Sequence, residues 1–453
     1  MLGAVVVPRS RPATSAPVRL APVLAAVVAH MVLAVLMRDH PSISTVHALL
    51  TLVVVAGVAA VTPWVENIAY AAGYVTGAEL LWRITDAQVF HEVGKYAVIL
   101  VLGIGLLRLG DRRRLAMPVL YLAVLLPSIV LTIDRFGLAG AREEVSFNLS
   151  GPATLAVAVI FFSRFRATPA VVRRLLWTMI VPIAGIAAVA AFGTLTAGKV
   201  VFAQSSNFVT SAGFGPNQVS AILGLGALLA LVVAWRERAG GRRVLALLLA
   251  LWMLVQSVLT FSRGGLVNVV VAVLIAAVYS LREPRRAAGL VVPVLLLVLV
   301  SGLFVYPRLV AFTGGVLETR FTDFTLDERT SLIDADIKVF REHPILGVGP
   351  GVGKLYRQLP DGRGIAAHTE FTRLLAEHGM AGAIAIGILL AIVVGAYRQA
   401  TTHYSRALVL LLASWTLSEM THGAMRFAAI SFVFGLITAT MVEATEPRDA
   451  VLV

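Results

Sequence analysis

Apolar runs long enough to cross about 30 Å of hydrocarbon at about 1.5 Å per residue recur along almost the whole chain. They fall at 18–37, 43–62, 64–82, 93–107, 115–133, 150–162 and 175–195, then at 217–235, 244–260, 266–281, 289–306, 379–397, 407–421 and 427–442. Several are short enough to be tilted or broken, and only Pro63 separates the second from the third. The pattern predicts an all-α, polytopic transmembrane bundle of about 12–14 spans. One long polar segment, 307–378, interrupts it. With no internal repeat or second soluble region, residues 1–453 form one membrane domain carrying one partly helical external insertion.

Composition narrows the picture. Hydrophobic residues make up 58% of the chain and charged residues 14%, with mean hydropathy +0.87. A soluble fold would expose more apolar surface than water tolerates. The absence of cysteine excludes disulfides, thiolate nucleophiles and Cys-ligated zinc. The net charge of +13 first suggests nucleic acid, but the basic residues fall in alternate loops. Arg9, Arg11 and Arg19 precede the first run, Arg108 and Arg112 to Arg114 follow the fourth, and Arg164, Arg166, Arg173 and Arg174 follow the sixth. Arg236, Arg238, Arg242 and Arg243, then Arg282, Arg285 and Arg286, then Arg398 and Arg406 continue the alternation. The positive-inside bias places these clusters and both termini in the cytoplasm and segment 307–378 outside. The charge is therefore a topology signal directed at membrane lipid, with no nucleic acid partner. The N-terminus has signal-like features, but its apolar run leads straight into a second, and it reads as an uncleaved first helix.

Candidate chemistry gathers on the outer side. Within the insertion, Asp327-Glu328-Arg329-Thr330 opens a helix that Pro344 closes. The glycines and prolines from Pro344 to Gly353 then form either a phosphate-approaching loop or simple punctuation between elements. A second helix spans Ala367 to His378, opened by His368. A histidine there is either a proton acceptor near neutral pH or a helix-start hydrogen-bonder, and composition alone does not set it above His343, His378 or His422. Arg263, in Thr260-Phe261-Ser262-Arg263-Gly264-Gly265, reads as a snorkelling anchor or an anion ligand. Asn217 and Gln218 enter the eighth run after Gly215-Pro216, where intramembrane polar groups need a neighbouring helix or a substrate. Glu79 and Arg83, four residues apart, read as an internal ion pair.

These pieces resemble the O-antigen ligase and Wzy-type polymerase superfamily of bacterial membrane glycosyltransferases. The resemblance rests on the arginine helix running into His343-Pro344-Ile345-Leu346-Gly347-Val348-Gly349-Pro350-Gly351, and on His368 with Phe371 and Leu375 before Glu377-His378-Gly379. Ser262-Arg263-Gly264-Gly265 and Asn217 after Gly215-Pro216 complete it. Its specific part runs from about Gly213 to Gly382. One position departs: the family commonly has His-Asn where this chain has His368-Thr369, and Thr369 lacks the paired donor and acceptor of an amide.

The resemblance implies a GT-C-like bundle that moves a glycan from a polyprenyl (undecaprenyl) diphosphate carrier to an acceptor hydroxyl, outside the cytoplasmic membrane. The acceptor would be a glycan, a lipid or a wall polymer. His368 becomes the candidate base, and Arg263 and Arg329 the candidate ligands of the diphosphate. Asn217, Glu370 and Arg373 are candidate substrate contacts. The scheme calls for no metal and no cofactor. The competing reading is a lipid-linked oligosaccharide flippase or transporter without catalysis. Transporters carry repeated halves and midplane sites, whereas the polar residues here collect at one face. A purely structural membrane subunit, with the insertion as a docking surface, is a third reading.

Overall fold

Every one of these apolar ranges overlaps a helix in the computed structural model, which describes residues 19–109, 116–237, 240–322, 327–357, 364–423 and 425–442. Arg9, Arg11, Arg112, Arg113, Arg114 and Arg238 lie outside the described residues, as do the side chains of Arg285, Arg286 and Arg329 and the two termini. The first helices are α1 (Leu20–Asp39), α2 (Pro41–Val61), α3 (Val65–Ile84), α4 (Val93–Leu109) and α5 (Ala116–Leu125). Then come α6 (Ile129–Phe162), α7 (Pro169–Thr196), α8 (Pro216–Arg236), α9 (Gly241–Leu259) and α10 (Gly264–Ser280). α11 (Pro284–Val300) passes through a π-helical turn at Ser301–Val305 into α12 (Tyr306–Phe312). The insertion continues with α13 (Val316–Thr322), α14 (Asp327–Glu342) and α15 (Glu370–His378). The chain closes with α16 (Met380–Gln399), α17 (His403–Met420) and α18 (Ala428–Leu436). Two short parallel strands, β1 (Arg166–Ala167) and β2 (Thr440–Met441), pair with one another. The fold is an all-α polytopic bundle.

Among the described residues, eight helices are long and apolar enough to cross a membrane: α1, α2, α6, α7, α8, α9, the stretch 288–312, and α16. Small residues let helices approach closely within a bilayer, and α8 carries Ser220, Ala221, Gly224, Gly226 and Ala227. α8 is accordingly almost wholly buried, packed on α9 and α10, while α7 packs on α1 and α3. The stretch 288–312 lies at the rim with only 11% of its apolar window covered. α3 has the length of a span but carries Glu66, Glu79 and Arg83. Nearly all of it is buried, so those charges meet protein, the arrangement that makes an ionisable group tolerable at membrane depth.

The fifth and sixth apolar ranges differ from expectation. Pro127 follows the end of α5, and α6 begins well before the predicted sixth run, bending where Gly137 adopts φ +67°. Residues 138–148, which have no apolar run, are thus helical. Ala139, Ala141, Arg142, Glu143 and Glu144 are strong helix formers, and propensity shapes a stretch where apolar periodicity gives no signal.

The loops separate to two ends. At one, Arg173 and Arg242 pair with Glu237 at 3.3 and 2.8 Å, Arg236 lies 4.4 Å over the Tyr404 ring, and His403 meets Glu283 at 3.4 Å. Arg282 joins them, 5.3 Å over the Tyr279 ring that stacks on His403. At the other, the loops after α3, α5, α7, α9, α14 and α17 converge.

Candidate functional site

The α9–α10 connection turns at Phe261, whose φ of +58° is unusual for a bulky residue and costs on the order of 1–3 kcal/mol. Its buried ring stacks on Phe202 with centroids 5.1 Å apart, which holds it there. Next to it, α10 enters against α8 so closely that a Cβ on Gly265 would lie 2.0 Å from the Ser220 carbonyl oxygen. Ser220 Oγ donates to the Ser262 carbonyl at 3.0 Å and accepts from the Gly265 amide at 3.2 Å. The result fixes Ser262, whose hydroxyl donates to Asn217 Oδ1 at 2.8 Å.

Asn217 and Ser262 form one wall of a cavity of about 200 Å³. Gln218, Gly264, His368, Glu419, His422, Arg426 and Phe427 also line it. Glu419 is held by Asn268, whose Nδ2 donates to it at 2.5 Å. A small adjoining recess brings Leu332 and Ile333 of α14 to His368, Thr369 and His422.

Arg426 is placed from a distance. Glu79 and Arg83 form the ion pair that their spacing suggests, within α3. Glu79 also accepts the Ala428 amide at 2.6 Å, and Arg83 donates to the Arg426 carbonyl at 3.0 Å. A buried ion pair thereby clamps the backbone on both sides of Phe427. Arg426 Nη2 donates in turn to the Ala367 carbonyl at 2.6 Å, beside His368. Its Nε has no hydrogen-bond partner among the described residues. Burial and the neighbouring Arg357 and Arg373 lower its pKa, with Glu370 opposing.

Behind this lies a buried chain of charge centred on α15. Arg373 donates to both Glu370 oxygens at 3.0 and 2.5 Å and to Glu377 at 2.8 Å. Glu377 also meets Arg357 at 3.3 Å, and Arg357 meets Asp336 of α14 at 3.4 Å. Thr372 donates to Asp336 at 2.7 Å. With Arg426, three arginines face three carboxylates, the compensation that buried charge requires. Burial raises the pKa of Asp336 and Glu377 against the pull of those arginines. For Arg373 burial acts downward, but its two carboxylates outweigh it and hold the group firmly charged.

This chain forms part of a larger cavity of about 620 Å³. Its charged lining comprises Glu92, Glu143, Glu144, Lys354, Arg357, Arg373, Glu377 and Arg426, with His91, Phe147 and Asn148. Ala367 and Arg426 belong to both cavities. Burial, then Arg83, Lys95 and Arg426, push His91 down to about 4, so it is neutral at physiological pH.

The glycine loop after α14 is packing, not a phosphate cradle. Its amides at Gly347, Val348, Gly349 and Val352 donate to carbonyls of His343, Ala376, Glu377 and Gly349. At Gly349, φ is +97° and a Cβ would lie 2.6 Å from Thr132 Oγ1. The loop is wedged between α15 and the start of α6. His378, at the end of α15, is likewise structural: Nδ1 bonds Ser128 Oγ at 2.6 Å. Burial and Arg373 push its pKa down to about 3.

The structure thus brings His368 and Asn217 to one cavity, with Arg263 between the lining residues Ser262 and Gly264. Glu370 sits inside the ion-pair chain, fully buried, and accepts the Met425 amide at 3.3 Å. Arg373 belongs to the same chain and reaches the larger cavity. Arg329 lies in α14 in the turn before Leu332 and Ile333, and its side chain is outside the described residues. Sequence reasoning missed Arg426, Glu419 and the outer half of α6. Arg426 carried the signal that singled out Arg263, an arginine at the edge of a span. Among the described residues, no three His, Asp or Glu side chains cluster as a metal site would require.

Residues 248–387 match the family model described as O-antigen ligase. The match includes Arg263, α14, the glycine loop, His368 and α15, and ends in α16. Among curated proteins, none matches the chain.

Proposed function

From the premise that residues 248–387 are of the O-antigen ligase family, which makes the chain a membrane glycosyltransferase-like ligase or polymerase, we propose that it transfers a glycan from a polyprenyl diphosphate carrier to an acceptor hydroxyl at the loop-rich end of the bundle. The observation that carries this reading is the convergence of His368, Asn217 and Arg426 on one cavity, away from the end where Arg173, Arg236 and Arg242 gather. That end faces outward from the cytoplasmic membrane, with both termini inside.

The chemistry follows from the residues. The acceptor oxygen attacks the anomeric carbon, and its proton passes to the His368 imidazole. The bond from the anomeric carbon to the diphosphate oxygen breaks, and its electron pair leaves with the diphosphate. That leaving group needs charge stabilisation more than a proton, and Arg426, which lines the cavity with His368, and Arg263, between two lining residues, are the guanidinium donors proposed for it. Arg329 adds a third from α14. Asn217, oriented by Ser262, offers its amide Nδ2 to the sugar or the diphosphate. Glu370 and Arg373 act as positioning residues, since their mutual bonds fix the start of α15 and hence His368. Thr369 then has no amide role to fill. The scheme uses no metal. The carrier's apolar tail lies among the helices, which accounts for so much hydrophobic protein around a sugar reaction.

The test is reconstitution in nanodiscs with a polyprenyl diphosphate glycan and an acceptor, following release of free carrier diphosphate. Release that requires acceptor and disappears in His368→Ala is expected, and product length separates ligase from polymerase. Movement of intact lipid-linked glycan between leaflets without release would establish the flippase instead.

A further inference from the structure

The proposed base His368 and the polar Asn217 line the smaller cavity, and the larger one has neither in its lining. Its lining has a different character. Four carboxylates and four cationic side chains face it, and their formal charges cancel. A sugar ring has the complementary chemistry, because each hydroxyl both donates and accepts and is matched by carboxylates and guanidinium groups set side by side. Phe147, with the His91 ring 6.0 Å away and tilted by 32°, supplies the flat apolar wall against which a ring's C–H face packs. The Lys95 ammonium lies 5.7 Å from the Phe147 ring centroid.

The site is also built rather than incidental. Arg357 is 2% exposed and fixed by Asp336 and Glu377, yet its Nη1 has no hydrogen-bond partner among the described residues. The volume, about 620 Å³, suits one or two sugar rings within the usual range of ligand pockets, about 300–1,000 Å³. Because Ala367 and Arg426 line both cavities, a ring held here lies next to His368.

We propose that the larger cavity is a glycan-recognition subsite for uncharged sugar rings, adjoining the transfer site. This inference rests on the transfer reading above. Sugar hydroxyls could arrive with the acceptor or with the donor glycan, and kinetics separate the two.

The experiment is saturation-transfer difference NMR on the full chain in nanodiscs. The probes are free N-acetylglucosamine, methyl glucoside, methyl mannoside and methyl rhamnoside. Carrier release is measured on the same preparations. Ala366→Trp fills the cavity from an exposed wall position, Asn148→Ala removes a polar contact, and Glu143→Gln neutralises an exposed carboxylate whose loss does not threaten folding. At least one probe is expected to receive saturation from the wild type. Ala366→Trp should abolish it, and Asn148→Ala and Glu143→Gln should each weaken binding by up to about tenfold. A rise in acceptor KM in these variants assigns the ring to the acceptor, and a rise in donor KM assigns it to the donor. Carrier release by a wild type that saturates no probe, or saturation undiminished in all three variants, would overturn the subsite alone. Saturation lost in the variants but with no carrier release would uphold the subsite and remove the transfer reading.

Discussion

At the scale of single residues, some groups act and others hold. His368→Ala is expected to lower turnover by about 10²–10⁴, the usual contribution of a positioned base, in an assay of carrier release at matched expression. Arg426→Lys keeps the charge but loses the planar fork that bonds Ala367 and reaches the cavity together. Turnover should fall about tenfold or more, mostly in kcat. His378 belongs to the holding class, and its environment gives a signed pH dependence. Its pKa is depressed to about 3 in the fold against about 6.5 unfolded, so the unfolded chain takes up the proton first. Its contribution to stability is therefore complete above about pH 6.5 and is lost as pH falls toward 3. Asp336 and Glu377, whose pKa values are raised, offset part of that loss. Thermal unfolding followed from about pH 7 to about pH 5 should show a smaller decline in His378→Asn than in the wild type, since Asn retains a donor for Ser128 but takes no proton.

Among elements, the helices with apolar runs were legible from the sequence, because a bilayer demands such runs and little else makes them. The division of α2 from α3 at Pro63 and the ion pair of Glu79 with Arg83 were legible for equally local reasons. The outer half of α6 was not, because nothing apolar marks it and its place is set by contacts far along the chain, such as Thr132 with Pro350 at 3.0 Å and Glu144 with Lys354. Arg426 was hidden in the same way: its position depends on α3, hundreds of residues earlier. The first three helices show how polar groups fasten a membrane bundle. Trp82 Nε1, which can only donate, bonds His47 Nδ1 at 2.9 Å. His47 Nε2 must then carry the proton and donate to the Tyr74 hydroxyl at 2.8 Å, which in turn donates to His30 Nε2 at 2.7 Å. One hydroxyl ties α1 and α2 to α3. Tyr74→Phe leaves a donor and an acceptor unpaired, and unfolding in detergent should show a loss of about 1–3 kcal/mol.

For the whole molecule, the two ends of the bundle divide the work. Basic residues at one end are occupied with carboxylates and aromatic rings, while the other end gathers six loops, two cavities and the residues of the ligase match. The chain has no cysteine, so single substitutions report sidedness without background. Lys338→Cys, on an exposed position of α14, should react with an impermeant maleimide in intact cells. Thr401→Cys, exposed between α16 and α17, should react only after permeabilisation. The opposite labelling would invert the topology. The most direct test of the central claim is a cryo-EM structure of the His368→Ala variant in nanodiscs with a polyprenyl diphosphate glycan. Diphosphate density is expected in the cavity of Asn217, Ser262 and Arg426, with the first sugar directed toward position 368. Density for the diphosphate at the membrane midplane, away from position 368, would contradict it.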